Sequence, residues 1–403
     1  MITGMKDASV YSMEPALPPE GDSQLSDLAI ELIQQSSRLA APLSAPVQAE
    51  LGRLVRSMNC YYSNLIEGHE THPRDIERAL TRDIDVTGRQ RDLQLEAVAH
   101  IKVQEQIDLD LGTPDAWPVS ASYARWLHRV FCERLPPALL VVKSVESGRL
   151  VPVVPGEYRV DPVEVGHHIP PTAAALPDFM RRFDEAYAPN GLSKLQQLLS
   201  AAAAHHRLLW IHPFIDGNGR VVRLMSHALL LKLGVGSSLW SVSRGLARNV
   251  DRYKAALATA DSPRRNDLDG RGARSLEGLR DFCRFFLEVC IDQVDFMRKL
   301  LQPTEIVRRM ELHMTDEVTA KRLPKGSFEM LREVFYQGEV PRGRAPGITG
   351  YEERRARETV SALLEKGLLL SKGPRAALTL GFPIEVLERW LPTLYPVNVP
   401  TGS

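Results

Sequence analysis

The sequence carries no excess charge of either sign: 50 Lys and Arg balance 50 Asp and Glu over 403 residues. A formal net charge of zero offers no global attraction to nucleic acid or to a membrane surface. Cysteine is scarce as well. Cys60, Cys132, Cys283 and Cys290 are the four present, and no two of them form a CxxC pair. That spacing argues against a metal ribbon or a disulfide framework and for reduced core thiols. No apolar stretch of about 18 residues runs without a charge, so no transmembrane helix is expected. The first residues lack the basic start and apolar run of an export signal. No internal repeat stands out. These absences fit a cytoplasmic chain with no membrane partner.

The rest of the composition is that of an ordinary globular protein, with 44% hydrophobic and 25% charged residues. The length suggests two or three domains. The informative stretch is 212–223, which reads HPFIDGNGRVVR. Mostly apolar runs flank it at 192–211 and 221–233, so the spacing predicts helix, tight loop, helix. Gly217, Asn218 and Gly219 can take positive-φ conformations that aim successive backbone N–H groups into one concavity. The second helix then starts with its unpaired N–H groups and positive dipole end facing that concavity, which suits a phosphate chain. Arg220 and Arg223 are three apart and share a helix face. Asp216 is the only acid in the loop. Mg²⁺ bound beside phosphates takes one or two carboxylates, which makes Asp216 the metal candidate. His212 is of the type that takes a proton from a hydroxyl near neutral pH. Together these residues point to nucleotidyl or phosphoryl transfer to a hydroxyl. A structural loop with a capped helix is the alternative.

The stretch resembles the signature of the Fic family, HxFx(D/E)GNGRxxR, at every specified position. Most Fic proteins transfer AMP from ATP to a Ser, Thr or Tyr hydroxyl of another protein. The resemblance implies that His212 is the general base and that Asp216 holds Mg²⁺. It implies an anion hole of Gly217, Asn218, Gly219 and Arg220, a γ-phosphate contact from Arg223, and a buried anchor in Phe214. Upstream, residues 63–68 read Ser-Asn-Leu-Ile-Glu-Gly and match the (S/T)xxxE(G/N) inhibitory motif of the family. The run 49–67 has helical apolar spacing. Ser63 and Glu67 are four apart and share a face, and Gly68 stands where a helix C-cap glycine is expected. In the family this Glu pairs with the second signature arginine, here Arg223, and so restrains ATP in an unproductive pose.

The resemblance extends over about residues 25–300. The segment 147–171 is dense in Pro, Gly and β-branched residues and reads as a hairpin. The family has a target-docking flap in this place. Val163, Glu164, Val165, Gly166, His167, His168 and Ile169 form the candidate free edge, which needs unpaired strand groups to dock a protein segment. His205 and His206 are read as packed or hydrogen-bonded. Ser243, Arg244, Asn249 and Tyr253 fit a further family pattern in which Asn249 lies near the adenosine. Lys254 departs from it by replacing a second Tyr.

The expected fold class is mainly α: a Fic-type helical core with a β-hairpin flap, plus a small α+β winged-helix-like C-terminal domain. The expected divisions are a flexible tail at 1–24, a helical region with the inhibitory helix at 25–115, a catalytic core at 116–300 and the winged-helix-like domain at 301–403. The expected activity is AMP transfer from ATP with Mg²⁺ to a hydroxyl of a protein target, the chain itself included, restrained by Glu67. Two rivals stand beside it. One is removal of AMP from modified proteins at the same site. The other is a DNA-binding regulator whose core senses nucleotide. DNA contact through the basic stretch 341–375 remains an option, and so does a dimer.

Overall fold

The computed structural model describes residues 9–395 apart from 40, 70, 82, 83, 85, 86, 145–147 and 167. Among them the chain is mainly helical. In chain order the helices are α1 (Ser23–Ser37), α2 (Ala45–Ile66), α3 (Pro73–Leu80), α4 (Arg89–Asp108), α5 (Ala121–Cys132), α6 (Leu176–Tyr187), α7 (Lys194–Ile211), α8 (Asn218–Lys232), α9 (Val242–Arg248), α10 (Val250–Asp261) and α11 (Leu276–Leu300). They continue with α12 (Pro303–Thr319), α13 (Ser327–Gln337), α14 (Ala345–Thr349), α15 (Glu353–Glu365) and α16 (Ile384–Trp390). Strand β1 (Val141–Lys143) pairs antiparallel with β2 (Leu150–Pro152), and β3 (Leu369–Leu370) with β4 (Thr379–Leu380). None of the described helices is long and apolar enough to cross a membrane. The chain forms two compact units. One takes in the chain up to Ser36, Asn59–Ser237 and Ser241–Gln293; the other takes in Ser37–Met58, Ser238–Trp240 and the chain from Val294.

In the first unit α7 and α8 pack on each other. Helices α4 and α5 lie against α8, and α6 and α10 against α7. A capping box starts α7: Ser193 Oγ accepts the Gln196 N–H, and the Gln196 side chain accepts the Ser193 N–H. Ala201, Ala202, Ala203 and Ala204 are buried, and their short side chains let neighbouring helices approach closely. In α8, Val221, Val222, Leu224, Met225 and Leu229 are buried on several faces, the pattern of a core helix rather than an amphipathic one. All four cysteines are buried and free.

The described part of the expected tail is held down. Met13 is buried, and Glu14 accepts from Arg182 Nε at 2.8 Å. The Pro15 carbonyl accepts from Arg207 Nε and Nη2 at 3.1 and 2.9 Å, and the Ala16 carbonyl accepts from the Tyr187 hydroxyl at 2.7 Å. Pro, Ser and Gly limit this segment to one short 3-10 turn, Val10–Met13. Its carbonyls are satisfied by side chains from α6 and α7 instead. The expected hairpin also differs. Its regular strands, β1 and β2, lie at 141–152. The stretch 163–169 holds only one bridge, in which Val165 and His168 exchange N–H···O bonds of 3.0 Å around Gly166. Pro162, Pro170 and Pro171 flank it, and a residue without an N–H cannot extend a ladder. His167 lies outside the described residues.

In the second unit, α13, α14 and α15 are followed by the β3–β4 pair, and Val340 bridges to Leu378. Met330, Leu331, Val334, Val360, Leu363 and Leu380 fill the space between them.

Arg207 is fully buried and also donates to the Ala260 carbonyl at 3.3 Å. Replacing it strands two buried carbonyls. Arg207→Met is expected to lower unfolding stability by about 3 kcal/mol. Urea denaturation checks this, and an unchanged midpoint with an unchanged slope would contradict it.

Candidate functional site

The loop between α7 and α8 begins with a residue in the left-handed region. His212 has φ 51° and ψ 61° and forms the C-cap of α7. A non-glycine residue there costs roughly 1–3 kcal/mol and persists when its surroundings fix it. Arg159 supplies the fixing. Its Nε donates to the His212 carbonyl at 2.8 Å, its Nη2 to the Pro171 carbonyl at 2.5 Å, and its backbone N–H to the Pro213 carbonyl at 2.9 Å. The segment 159–171 is thereby tied to the loop. His168 adds a second tie through Nε2, 2.7 Å from the Trp210 carbonyl. The His212 ring uses Nδ1–H toward the Leu209 carbonyl at 3.3 Å, which leaves Nε2 as the basic nitrogen.

Phe214 is buried and stacks on His128 with centroids 4.1 Å apart. Asn218 clamps the Phe214 backbone from both ends of its amide. Oδ1 accepts the Phe214 N–H at 3.0 Å, and Nδ2 donates to the Phe214 carbonyl at 2.8 Å. Of the three residues expected at positive φ, only Gly217 (79°) is there. Asn218 and Gly219 already belong to α8, so the N–H groups at this end are those of a helix start rather than of a three-residue nest. Asp216 is exposed, and its Oδ1 accepts the Gly217 N–H at 2.7 Å.

Glu67 and Ser63 meet Arg223. Its Nη2 donates to Glu67 Oε1 at 2.5 Å and to the Ser63 carbonyl at 3.2 Å, and its Nε donates to Ser63 Oγ at 2.9 Å. Gly68, at φ 77°, follows α2 as expected. A Cβ at Gly219 would stand 2.2 Å from Glu67 Oε1 and 3.0 Å from Arg223 Nη1, so a larger residue there would make the paired side chains shift. The Glu67 carboxylate therefore rests against the first turn of α8. Its side chain is 34% exposed, against 2% for Arg223, so the carboxylate is the accessible member of the pair. Arg220 is held separately, by Glu96 Oε2 at 2.8 Å with His69 alongside.

The electrostatics follow from these contacts. Burial pulls the His212 imidazole down to about 4, and Arg159 and His168 add to the pull while the Leu209 carbonyl opposes it, so the ring is neutral at pH 7. Burial alone would raise the Glu67 carboxyl, but the Arg223 charge and hydrogen bond outweigh it and hold it below its ordinary value. Glu96 is lowered likewise, with burial opposed by the His69 hydrogen bond and the Arg220 charge.

Thus His212, Asp216, Gly217, Asn218, Gly219, Arg220, Arg223, Ser63 and Glu67 gather at one helix start. Asn249 caps the junction of α9 and α10, with Nδ2 donating to the Gly245 carbonyl at 2.9 Å. His205 and His206 are packed: His205 binds Ser226 Oγ and the Tyr253 hydroxyl, and His206 faces the Leu257 carbonyl. In the second unit, Arg354 and Arg357 pair within α15 with Glu358 and Glu353, and Arg355 lies 4.3 Å from the centre of the Tyr351 ring. Sequence reasoning missed Arg159, Glu96, His69 and His128. Arg159, in the run GEYR, carried a signal: an arginine among Pro and Val suits a role in satisfying carbonyls.

Residues 118–230 match the family model described as Fic/DOC family. Over 87 residues the chain is 44% identical to "Protein adenylyltransferase Fic" of Drosophila erecta, a match covering 22% of this chain and 18% of that protein. The match thus spans under a fifth of the relative's length. A Fic family protein from Desulfovibrio desulfuricans G20 shares the fold, with a TM-score of 0.52 at 17% identity over 91% of this chain and 98% of that one. Residues 134–508 of Fic-1 from C. elegans do so with a TM-score of 0.51 at 16% identity, over 68% of this chain and 71% of that one.

His100, behind the arginines on α4, is fully buried, and neither ring nitrogen has a partner among the described residues. Burial lowers it to about 3, with Arg223 and Arg220 adding to the effect. An unfolded His titrates near 6.5, so this group's contribution is present above pH ~6.5 and is lost as pH falls toward 3. At pH 5 the loss is about 2 kcal/mol. His100→Leu is expected to flatten stability between pH 7 and 5 by about that amount, as read from urea midpoints. An unchanged pH slope would refute the assignment.

Proposed function

Residues 118–230 belong to the Fic/DOC family, and from that premise we propose that this chain transfers AMP from ATP to a Ser, Thr or Tyr hydroxyl of a protein target and is restrained by Glu67. One observation carries the proposal. A carboxylate, Glu67, is seated on Arg223 and against Gly219 at the start of α8, where the helix dipole and two arginines favour an anion. A triphosphate is the anion that suits a site with a neutral imidazole and an exposed carboxylate in the same loop.

In this reading His212 Nε2 takes the proton of the acceptor hydroxyl. The oxygen forms a bond to the α-phosphorus, the α–β bridging P–O bond breaks, and pyrophosphate leaves toward the α8 N–H groups and Arg220. A half-buried imidazole lowered to about 4 is a weak base but is in its accepting form at neutral pH. Asp216, exposed in the loop with one oxygen on the Gly217 N–H, would hold Mg²⁺ through its other oxygen together with phosphate oxygens and water. The ion when bound would neutralise phosphate charge. No cluster of three or more His, Cys, Asp or Glu suited to a metal occurs among the described residues. While Arg223 is held by Glu67 and Ser63 it cannot take the γ-phosphate, hence the restraint. The helix order of the second unit and its β3–β4 pair support a winged-helix reading. The internal pairing of Arg354 and Arg357 leaves less charge for DNA there than composition alone suggests.

Incubation with labelled ATP, Mg²⁺ and a host lysate tests the proposal. Glu67→Gly is expected to raise label transfer at least tenfold, and adding His212→Ala is expected to abolish it with ATP binding kept. Equal transfer with and without Glu67 would remove the restraint. Transfer within a few-fold of the parent in the His212 variant would remove the base. If Glu67→Gly instead abolishes loss of AMP from pre-labelled protein, the direction of the reaction is reversed.

A further inference from the structure

Arg220, the third residue of α8, is buried to 6% exposure beside the anion site. Its Cζ lies 5.2 Å from the Phe131 ring centre, and its Nε has no partner among the described residues. What fixes it is Nη2, 2.8 Å from Glu96 Oε2 and 3.1 Å from His69 Nδ1. His69 Nδ1 also lies 2.9 Å from the same Glu96 oxygen. One nitrogen cannot both accept from Arg220 and donate to Glu96. The carboxylate accepts only, so the consistent arrangement is Glu96 Oε2 receiving both Nδ1–H of His69 and Nη2–H of Arg220. Glu96 comes from α4, and its side chain is 14% exposed against 34% for Glu67. It contacts neither the loop 212–217 nor Arg223 among the described contacts, and the transfer chemistry above gives it no part.

Resting on the AMP-transfer reading, we propose that Glu96, braced by His69, is a positioning residue that holds the Arg220 guanidinium at the start of α8 for the phosphates of ATP. An arginine aimed by one carboxylate keeps its remaining N–H groups in a fixed fork, so less freedom is lost when a phosphate binds. Glu67 is the exchangeable carboxylate and Glu96 the permanent one. The same oxygen accepts both hydrogen bonds, so the geometry asks for an acceptor at this point more than for a second negative charge.

The test is the dissociation constant for ATP with Mg²⁺, measured by calorimetry on the full chain, both as it stands and with Glu67→Gly. Glu96→Ala is expected to weaken binding about tenfold in each background. Glu96→Gln, whose amide oxygen can accept the same two N–H groups, should return it to within about threefold of the parent. Binding that is unchanged or tighter in Glu96→Ala overturns the inference, and so does a Gln variant as weak as Ala. Thermal unfolding is followed in parallel. If Glu96→Ala does not fold, His69→Ala takes its place with a loss of about threefold expected, and an unchanged constant there is equally fatal. A chain that binds ATP without transferring label ends the AMP-transfer reading while these ratios still decide the role of Glu96. A chain that binds no ATP in either background ends both.

Discussion

Two guanidinium groups are buried at the start of α8, and each is held by a carboxylate. Arg220 and Arg223 are 6% and 2% exposed. A buried charge left without a partner costs several kcal/mol, more than one helix start recovers through its own contacts. The partners come from elsewhere in the first unit, Glu96 on α4 and Glu67 just past α2. Those placements oblige α4 and the end of α2 to meet α8. Such pairs are weak evidence of net stability, since their desolvation offsets their attraction. What they fix is orientation: two cationic forks aimed at one helix end.

The loop before α8 is held by a different means, through carbonyls. His212 turns left-handed, and Arg159 takes its carbonyl together with that of Pro171. Burial lowers this arginine to about 10, still far above neutrality, so the tie is charged under all ordinary conditions. The position of the imidazole therefore depends on a segment well upstream. The same segment carries the short bridge at 165–168. The bridge and the imidazole thus share one mechanical frame.

The central helix pair and the signature loop were legible in the sequence because their information is local. Apolar runs, a Gly-Asn-Gly turn and arginines three apart all lie within one stretch, and 63–68 is as compact. What was not legible is satisfied at long range. Residues 9–22 read as a tail because composition reports a segment's own propensity and not the arginines that take its carbonyls. Glu96 and His69 lie on different elements, with no spacing that links them to Arg220. The stretch 163–169 read as a strand edge from its β-branched residues, while the prolines on either side limited it to one bridge. The role of Gly219 lay partly hidden too. It reads as a turn glycine, yet it is helical, and its missing Cβ is what admits the Glu67 carboxylate.

The two carboxylates are not equivalent, and the difference bears on how an anion would enter. Glu96 is 14% exposed, accepts from two partners, and has burial opposed by both of them. Glu67 is 34% exposed and stands at a chain reversal ending in Gly68. An incoming phosphate oxygen competes for the same guanidinium hydrogens and brings more charge than a carboxylate. On the proposed reading it would displace the partner whose rehydration is easier. That criterion selects Glu67. Exchange at Arg223 with retention at Arg220 also leaves the charge near the helix start closer to balance than loss of both carboxylates would. On the proposed reading, the N-terminal turn of α8 would exchange its anions one at a time, with Arg220 kept aimed by Glu96.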